Sequence, residues 1–175
     1  VEYMRSNRGF VTVDQLCEAL FVSGATIRRD LTELESSRLI RRTRGGALLV
    51  EGIDSEEPID FRENKNVMEK QIIAGQARVH IQDGMTLFMD SSSTVGMLAR
   101  TLRDFSNLKV ITYGRRTAYL LSEIPSLAVM CAGGTLRENT KSLVGQSTLD
   151  YIGRLNADIA FMSCGGFSME NGASE

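Results

Sequence analysis

The chain has 175 residues, 42% of them hydrophobic and 24% charged, with a formal net charge of −2; that composition belongs to a folded globular chain and excludes a disordered one. No apolar run approaches the roughly 20 residues of a membrane-crossing helix, and the N-terminal residues lack the apolar segment of a secretory signal. Charge is unevenly spread: residues 1–50 carry eight arginines against six carboxylates, and residues 51–175 carry twelve basic against sixteen acidic side chains, so a basic head precedes an acidic body, as a separate nucleic-acid-binding module would give.

In chain order, residues 1–6 read as a helix already under way, and residues 171–175 close no element, so the sequence is read as a fragment or as the ordered part of a longer protein. Thr12-Val13-Asp14-Gln15 has the form of a capping box, and Leu16, Ala19 and Leu20 follow at helical spacing. Phe21-Val22-Ser23-Gly24 interrupts that pattern. Ser23 can then cap a second helix running to about residue 36, with Ile27, Leu31 and Leu34 as its inner face. Two short helices joined by a tight turn form a helix-turn-helix. Residues 39–42 and 47–50 are short apolar runs around Thr43-Arg44-Gly45-Gly46, a β-hairpin pattern that predicts a wing.

Residues 51–66, acidic and polar with Pro58, read as a linker. Residues 67–79 are helical in pattern. Beyond His80 come four short apolar runs, 85–89, 108–112, 127–132 and 157–162, each suited to a buried strand. Helical stretches at 94–103, 115–122 and 147–155 lie between them. That alternation predicts an α/β domain built on a parallel sheet covered on both faces. The domain division expected is therefore 1–50, 51–66 and 67–175.

On the second helix, inward Ile27 and Leu31 leave Thr26, Arg28 and Arg29 on other faces near the N-terminus, where a recognition helix meets base edges. Arginine can bond guanine bidentately, and threonine can reach a base edge or a phosphate. A helix N-terminus opened by Ser23 also favours an anion. Arg41, Arg42 and Arg44 would put further charge on the wing and make binding salt-sensitive. The same pattern also fits an exposed charged helix with i,i+4 pairing of Arg29 and Glu33, and spacing alone leaves both readings open.

The run from Val22 to Leu31, with Thr26-Ile27-Arg28-Arg29-Asp30-Leu31 at its centre, and the later Arg42-Thr43-Arg44-Gly45-Gly46-Ala47 resemble the DeoR family of bacterial sugar-metabolism repressors. The resemblance continues through Phe61-Arg62 and Glu69-Lys70 to the chain end. Arg38 departs from it, standing where the family usually has glycine before the wing. The resemblance implies a DNA-binding repressor acting on an operator as a homodimer or higher oligomer. It also implies a sensor that resembles ribose-5-phosphate isomerase in fold, C-terminally incomplete here, and binds phosphorylated sugars or related metabolites.

In the α/β half, the first strand ends at Asp90-Ser91-Ser92-Ser93-Thr94, a strand-to-helix loop rich in hydroxyls and backbone N–H groups. Thr112-Tyr113-Gly114 and Gly133-Gly134 follow the second and third strands, at the strand ends where open α/β sheets bind ligands. Lys141 or Arg137 could add charge for a phosphate. The plainer alternative is that Asp90 and the serines cap a helix and the glycines only turn the chain. In the family pattern, Ser93 stands for a threonine, Ser92 for a common glycine, and Tyr113 for an asparagine. The family's later segment with an Asp and a Ser-Lys pair is absent.

No metal or cofactor is expected. His80, the sole histidine, has no partner for a metal site or a catalytic triad and reads as a surface or capping residue. Cys17, Cys131 and Cys164 are odd in number and far apart, which fits neither a disulfide framework nor a zinc site. They read as small buried hydrophobes in a reducing cytoplasm. The rival function is a sugar-phosphate isomerase-like enzyme, but no convergent acid/base pair stands out, and the chain is read as a regulator without enzymatic activity.

Overall fold

The computed structural model describes residues 1–7, 9–36, 39–50, 58–170 and 172–174. It divides into two compact units, Val1–Pro58 and Ile59–Glu175.

The first unit runs α1 (Glu2–Ser6), β1 (Phe10–Thr12), α2 (Val13–Leu20), α3 (Gly24–Ser36), β2 (Ile40–Thr43) and β3 (Gly46–Leu49). The strands form an antiparallel sheet in the order β1-β3-β2. The wing is thus three-stranded, where the sequence predicts a two-stranded hairpin. β1 is too short to show a period of two, and its last residue is also the cap of α2. That capping box forms as read: Gln15 N donates to Thr12 Oγ1 at 3.1 Å, and Thr12 N donates to Gln15 Oε1 at 2.9 Å. Thr12→Ala is expected to lower the stability of this unit by about 1 kcal/mol, read from urea unfolding. Thr12→Ser should be nearly neutral. An equal loss with serine would show that packing of the methyl group, and not the cap, holds the start of α2.

Met4, Val11, Leu16, Ile27, Leu31, Ile40, Ala47 and Leu49 make the core of this unit. The predicted inner face of α3 holds for Ile27 and Leu31, with Leu34 packed at the margin. Leu20 is 53% exposed despite its helical spacing, because α2 ends on it and Phe21 turns the chain in the left-handed region at φ 54°. Arg38 and residues 51–57 of the expected linker lie outside the described residues.

The second unit opens with α4 (Ile59–Asn64), inside the stretch read as linker, followed by α5 (Val67–Arg78). Ile59 is buried, and Arg116 pairs with Asp60 at 2.9 Å and Glu63 at 2.5 Å. The acidic texture that suggested a linker is one half of these ion pairs. Then come β4 (Thr86–Met89), α6 (Ser93–Ala99), β5 (Lys109–Thr112), α7 (Arg115–Ser122), β6 (Ala128–Cys131), β7 (Thr135–Leu136), β8 (Leu143–Val144), α8 (Gln146–Ile152), β9 (Ile159–Phe161), β10 (Gly166–Ser168) and β11 (Gly172–Ser174). The four strands predicted from apolar runs, β4, β5, β6 and β9, form one parallel sheet in the order β6-β5-β4-β9. The fold class is therefore α/β with a winged helix-turn-helix ahead of it, as the sequence predicts.

Leu87, Met89, Leu98, Leu102, Leu108, Val110 and Leu121 form the centre of this unit's core. Cys131 and Cys164 are exposed and Cys17 half-buried, which corrects the expectation of three buried cysteines. Cys131 ends β6 and Cys164 follows β9, the two edge strands of the sheet, where cover is thinnest. Among the described residues, no helix is long and apolar enough to cross a membrane.

Candidate functional site

The first candidate surface is the N-terminal half of α3 with the wing beside it. Ile27 and Leu31 are anchored in the core, so the intervening residues are turned outward. Ser23, Arg28 and Arg29 are exposed, and Thr26 is half-buried. Ser23 caps the helix: its Oγ accepts from Thr26 N at 3.3 Å and shares a hydrogen bond with Thr26 Oγ1 at 3.1 Å. Both hydroxyls thus hold the helix start. Arg29 lies 3.7 Å from Asp30 with its side chain 81% exposed, an arrangement of little energetic weight.

Arg41, Arg42 and Arg44 are exposed. Successive strand residues face opposite sides, so Arg41 and Arg42 diverge, and Arg44 sits in the hairpin turn. Arg28 and Arg42 are brought to one cleft of about 260 Å³, with Asp14, Leu31, Thr43 and Gly46 in its walls. Arg42 also meets Thr32 and Glu35 of α3, two residues the sequence reading does not single out. The signal for them was available: Ile40 must face the core, so Arg42, two residues on, shares its side of the strand.

In the second unit, the strand order places β9 on the far side of β4 from β5. The chain thus runs outward from β4 through β5 to β6 and then crosses back to β9, so the strand order reverses at β4, the geometry of a ligand-binding switch point. Asp90 stands there, 4% exposed. Its two carboxylate oxygens accept from Ser92 N at 2.7 Å and Ser163 N at 2.6 Å. The side chain thus ties the loop after β4 to the loop after β9. Ser92 caps α6, accepting from Val95 N at 3.1 Å, and Ser93 is the first, buried, helical residue. Ser91 and Thr94 are half-buried. The capping alternative therefore holds for Ser92, while Asp90 locks two loops together.

The second loop abuts the first. A Cβ on Gly114 would lie 2.8 Å from Ser91 Cα, so glycine permits the close approach. Thr112 is fully buried and accepts from Gly114 N at 3.0 Å. Tyr113 is half-buried, its ring 6.0 Å from that of Phe88. Lys141 joins this group through its backbone, its carbonyl accepting from Arg115 N at 3.0 Å, while Tyr113 O accepts from Leu143 N at 2.8 Å. Gly133 and Gly134 follow β6 and pack on α8 and β8: Thr148 Oγ1 donates to Gly133 O at 2.6 Å, and a Cβ on Gly134 would clash with Thr148 and Val144. Sequence reasoning missed Ser163, because the order of strands in a sheet is not written in any local pattern.

A larger cleft of about 410 Å³ lies between α5, α6 and the end of β9. Ile73, Leu98, Phe161 and Met162 line it together with Thr94 and Ser163. That lining suits apolar atoms and lacks the cations that a phosphate demands. Among the described residues, no group of three or more His, Cys, Asp or Glu is placed to hold a metal ion.

Residues 1–52 match the model of the DeoR-like helix-turn-helix domain, and residues 65–175 match that of the DeoR C terminal sensor domain. The HTH-type transcriptional regulator GolR of Listeria innocua is 38% identical over 165 residues, covering 94% of this chain and 65% of that protein. The glycerol-3-phosphate regulon repressor of Escherichia coli is 33% identical over 168 residues, covering 96% of this chain and 66% of that protein. The L-fucose operon activator of Escherichia coli is 33% identical over 162 residues, covering 91% of this chain and 66% of that protein. The chain thus spans about two thirds of the length of these relatives. All three are named as regulators, and the isomerase alternative is not favoured.

Proposed function

The chain belongs to the DeoR family, and on that premise we propose that it is a sequence-specific DNA-binding transcription regulator, a repressor of a sugar or carbohydrate catabolic operon controlled by a phosphorylated sugar or related metabolite. The observation that carries the reading is the outward display of Thr26, Arg28 and Arg29 on a helix pinned to its core by Ile27 and Leu31. Residues 1–50 are the DNA-binding head, and the second unit, from α4 onward, belongs to the sensor. Arg28 and Arg29 reach bases or phosphates, Ser23 and Thr26 the adjoining backbone, and Arg41 and Arg44 add phosphate contacts. One small head makes few contacts, so two or more copies act on repeated half-sites. The setting is the cytoplasm, where the operator lies.

The effector reading rests on the convergence of residues 90–94, 112–114 and 141 at the strand ends. Asp90 and Thr112, both buried and internally bonded, orient these loops. Ser91, Thr94 and Lys141 would meet the ligand with Tyr113 beside them, and Gly133 and Gly134 shape the third loop. A sugar phosphate that binds the native state must raise its melting temperature, so a thermal-shift panel of sugar phosphates identifies the class. No shift with any member would count against an effector site.

DNA recognition is tested by selecting duplexes from a randomised pool with the full chain. Arg28→Ala is expected to weaken binding to the selected duplex by ~1–3 kcal/mol. An equal loss on a scrambled duplex would mean that Arg28 contacts phosphate and not a base. Failure of the wild type to enrich any duplex would sink the whole reading. A reporter placed behind the selected operator decides the sign, since one relative is named a repressor and another an activator.

A further inference from the structure

Arg42 is tied to α3 at two points. Its Nη1 donates to Thr32 Oγ1 at 2.6 Å, and its backbone N–H donates to Glu35 Oε1 at 2.8 Å. The Thr32 hydroxyl hydrogen is already committed to the carbonyl oxygen of Arg28, at 2.8 Å. Its lone pair is therefore turned to Arg42, and the three groups form a directional chain from β2 to the backbone of Arg28. Glu35, one turn further along α3, grips the same point of β2 through the backbone. Strand alternation places Arg42 on the face that Ile40 buries against α3, so this contact continues the core packing outward.

We propose that Arg42 is a positioning residue for DNA recognition: with Thr32 and Glu35 it clamps the wing strand to the recognition helix and sets the angle between Arg28 and the wing tip at Arg44. This rests on the DNA-binding reading above. Base readout requires contacting groups held to within about 0.5 Å. A helix and a wing engage one duplex together only if the angle between them is fixed in advance. The geometry gives Arg42 that task.

The test uses the full chain, the duplex it selects from a randomised pool, and a scrambled duplex of equal length. Thr32→Val removes the hydroxyl without altering charge. It should weaken binding to the selected duplex on the order of tenfold, leave binding to the scrambled duplex within about twofold, and be rescued by Thr32→Ser, as expected when placement and not phosphate contact is lost. Arg42→Ala combined with Thr32→Val should be no weaker than Arg42→Ala alone, because the two act as one unit. Arg42→Ala should also leave the slope of log affinity against log salt unchanged. If instead that slope falls by about 0.9, the value for one lost phosphate contact, and Thr32→Val is silent, Arg42 is a DNA contact and the clamp is wrong. Glu35→Ala, which frees the backbone end of the clamp, should likewise weaken binding to the selected duplex more than to the scrambled one, so the proposal stays testable if Thr32→Val proves unstable. Failure of the wild type to select any duplex would overturn the DNA-binding reading itself. A selected duplex with silent Thr32→Val and Glu35→Ala would overturn only the clamp.

Discussion

Asp90→Ala is expected to destabilise the α/β unit by about 3 kcal/mol, since hydrogen bonds to a charged group contribute roughly 1.5–3 kcal/mol each and a buried donor left unpaired adds its desolvation cost. Two N–H groups depend on this carboxylate, Ser92 at 2.7 Å and Ser163 at 2.6 Å. Ser92 sits at the start of α6, while Ser163 follows β9, 73 residues later in sequence. Losing the side chain therefore releases a long-range tie as well as a local turn. Ser163 is only half-buried, so water takes over part of its bond, which holds the figure below the sum of two full penalties. Asp90→Asn should recover less than half, because its amide nitrogen turns a donor toward one of the two N–H groups.

The readout is urea unfolding followed by a probe in the α/β unit, because two compact units need not unfold together. Hydrogen exchange should accelerate at residues 159–163 and stay unchanged in the winged unit. The opposing outcome is clear. If Asp90→Ala loses sugar-phosphate binding while stability stays within about 0.5 kcal/mol, the range of an ordinary surface substitution, Asp90 touches the ligand and does not lock the loops.

That carboxylate also marks the limit of what the sequence could tell. Elements with a strong local signal were legible. The capping box at Thr12 and Gln15, the inward Ile27 and Leu31, and the four apolar runs that became β4, β5, β6 and β9 each follow from nearest neighbours along the chain. The three-residue β1 was not legible, because so short a strand has no measurable period and gains its identity only by pairing with β3. Helix α4 was hidden for a different reason. Asp60 and Glu63 look like solvated linker charges until Arg116, more than fifty positions away, is brought against them.

The sites divide in the same way. Outward Arg28 and Arg29 follow from helical periodicity, which is local. The role of Asp90 does not, since it depends on β9 returning to the free side of β4. Arg42 lies between these cases. Its charge suggests DNA, while the alternation from Ile40 points it at α3. Charge alone gives a list of basic residues; only the strand's two faces separate those turned to solvent from one turned to the helix.

Gly46→Ala is expected to cost the winged unit about 3 kcal/mol, at the upper end of overpacking penalties. A Cβ at this position would collide with the carbonyl oxygen of Val11 and come within 3.1 Å of the Phe10 ring. The ring could yield. The carbonyl belongs to β1, which is registered against β3 from Phe10↔Leu48 to Thr12↔Gly46, and it cannot rotate away without opening that ladder. β1 is also continuous with the cap of α2, and Val13 N donates to Gly45 O at 2.9 Å. A methyl group at Gly46 therefore forces apart β3, the edge strand β1 and the start of α2 at once. Its neighbour differs in kind. Gly45 adopts φ 100°, so Gly45→Ala meets backbone strain, worth about 1–2 kcal/mol. Urea unfolding of Gly46→Ala beside the wild type checks the figure. Gly46→Ala should also lose affinity for the selected duplex in proportion to its unfolded fraction, with an unchanged salt slope. A lowered slope in a stable Gly46→Ala protein would mean that the glycine lies against the DNA backbone, and would move its role from packing to contact.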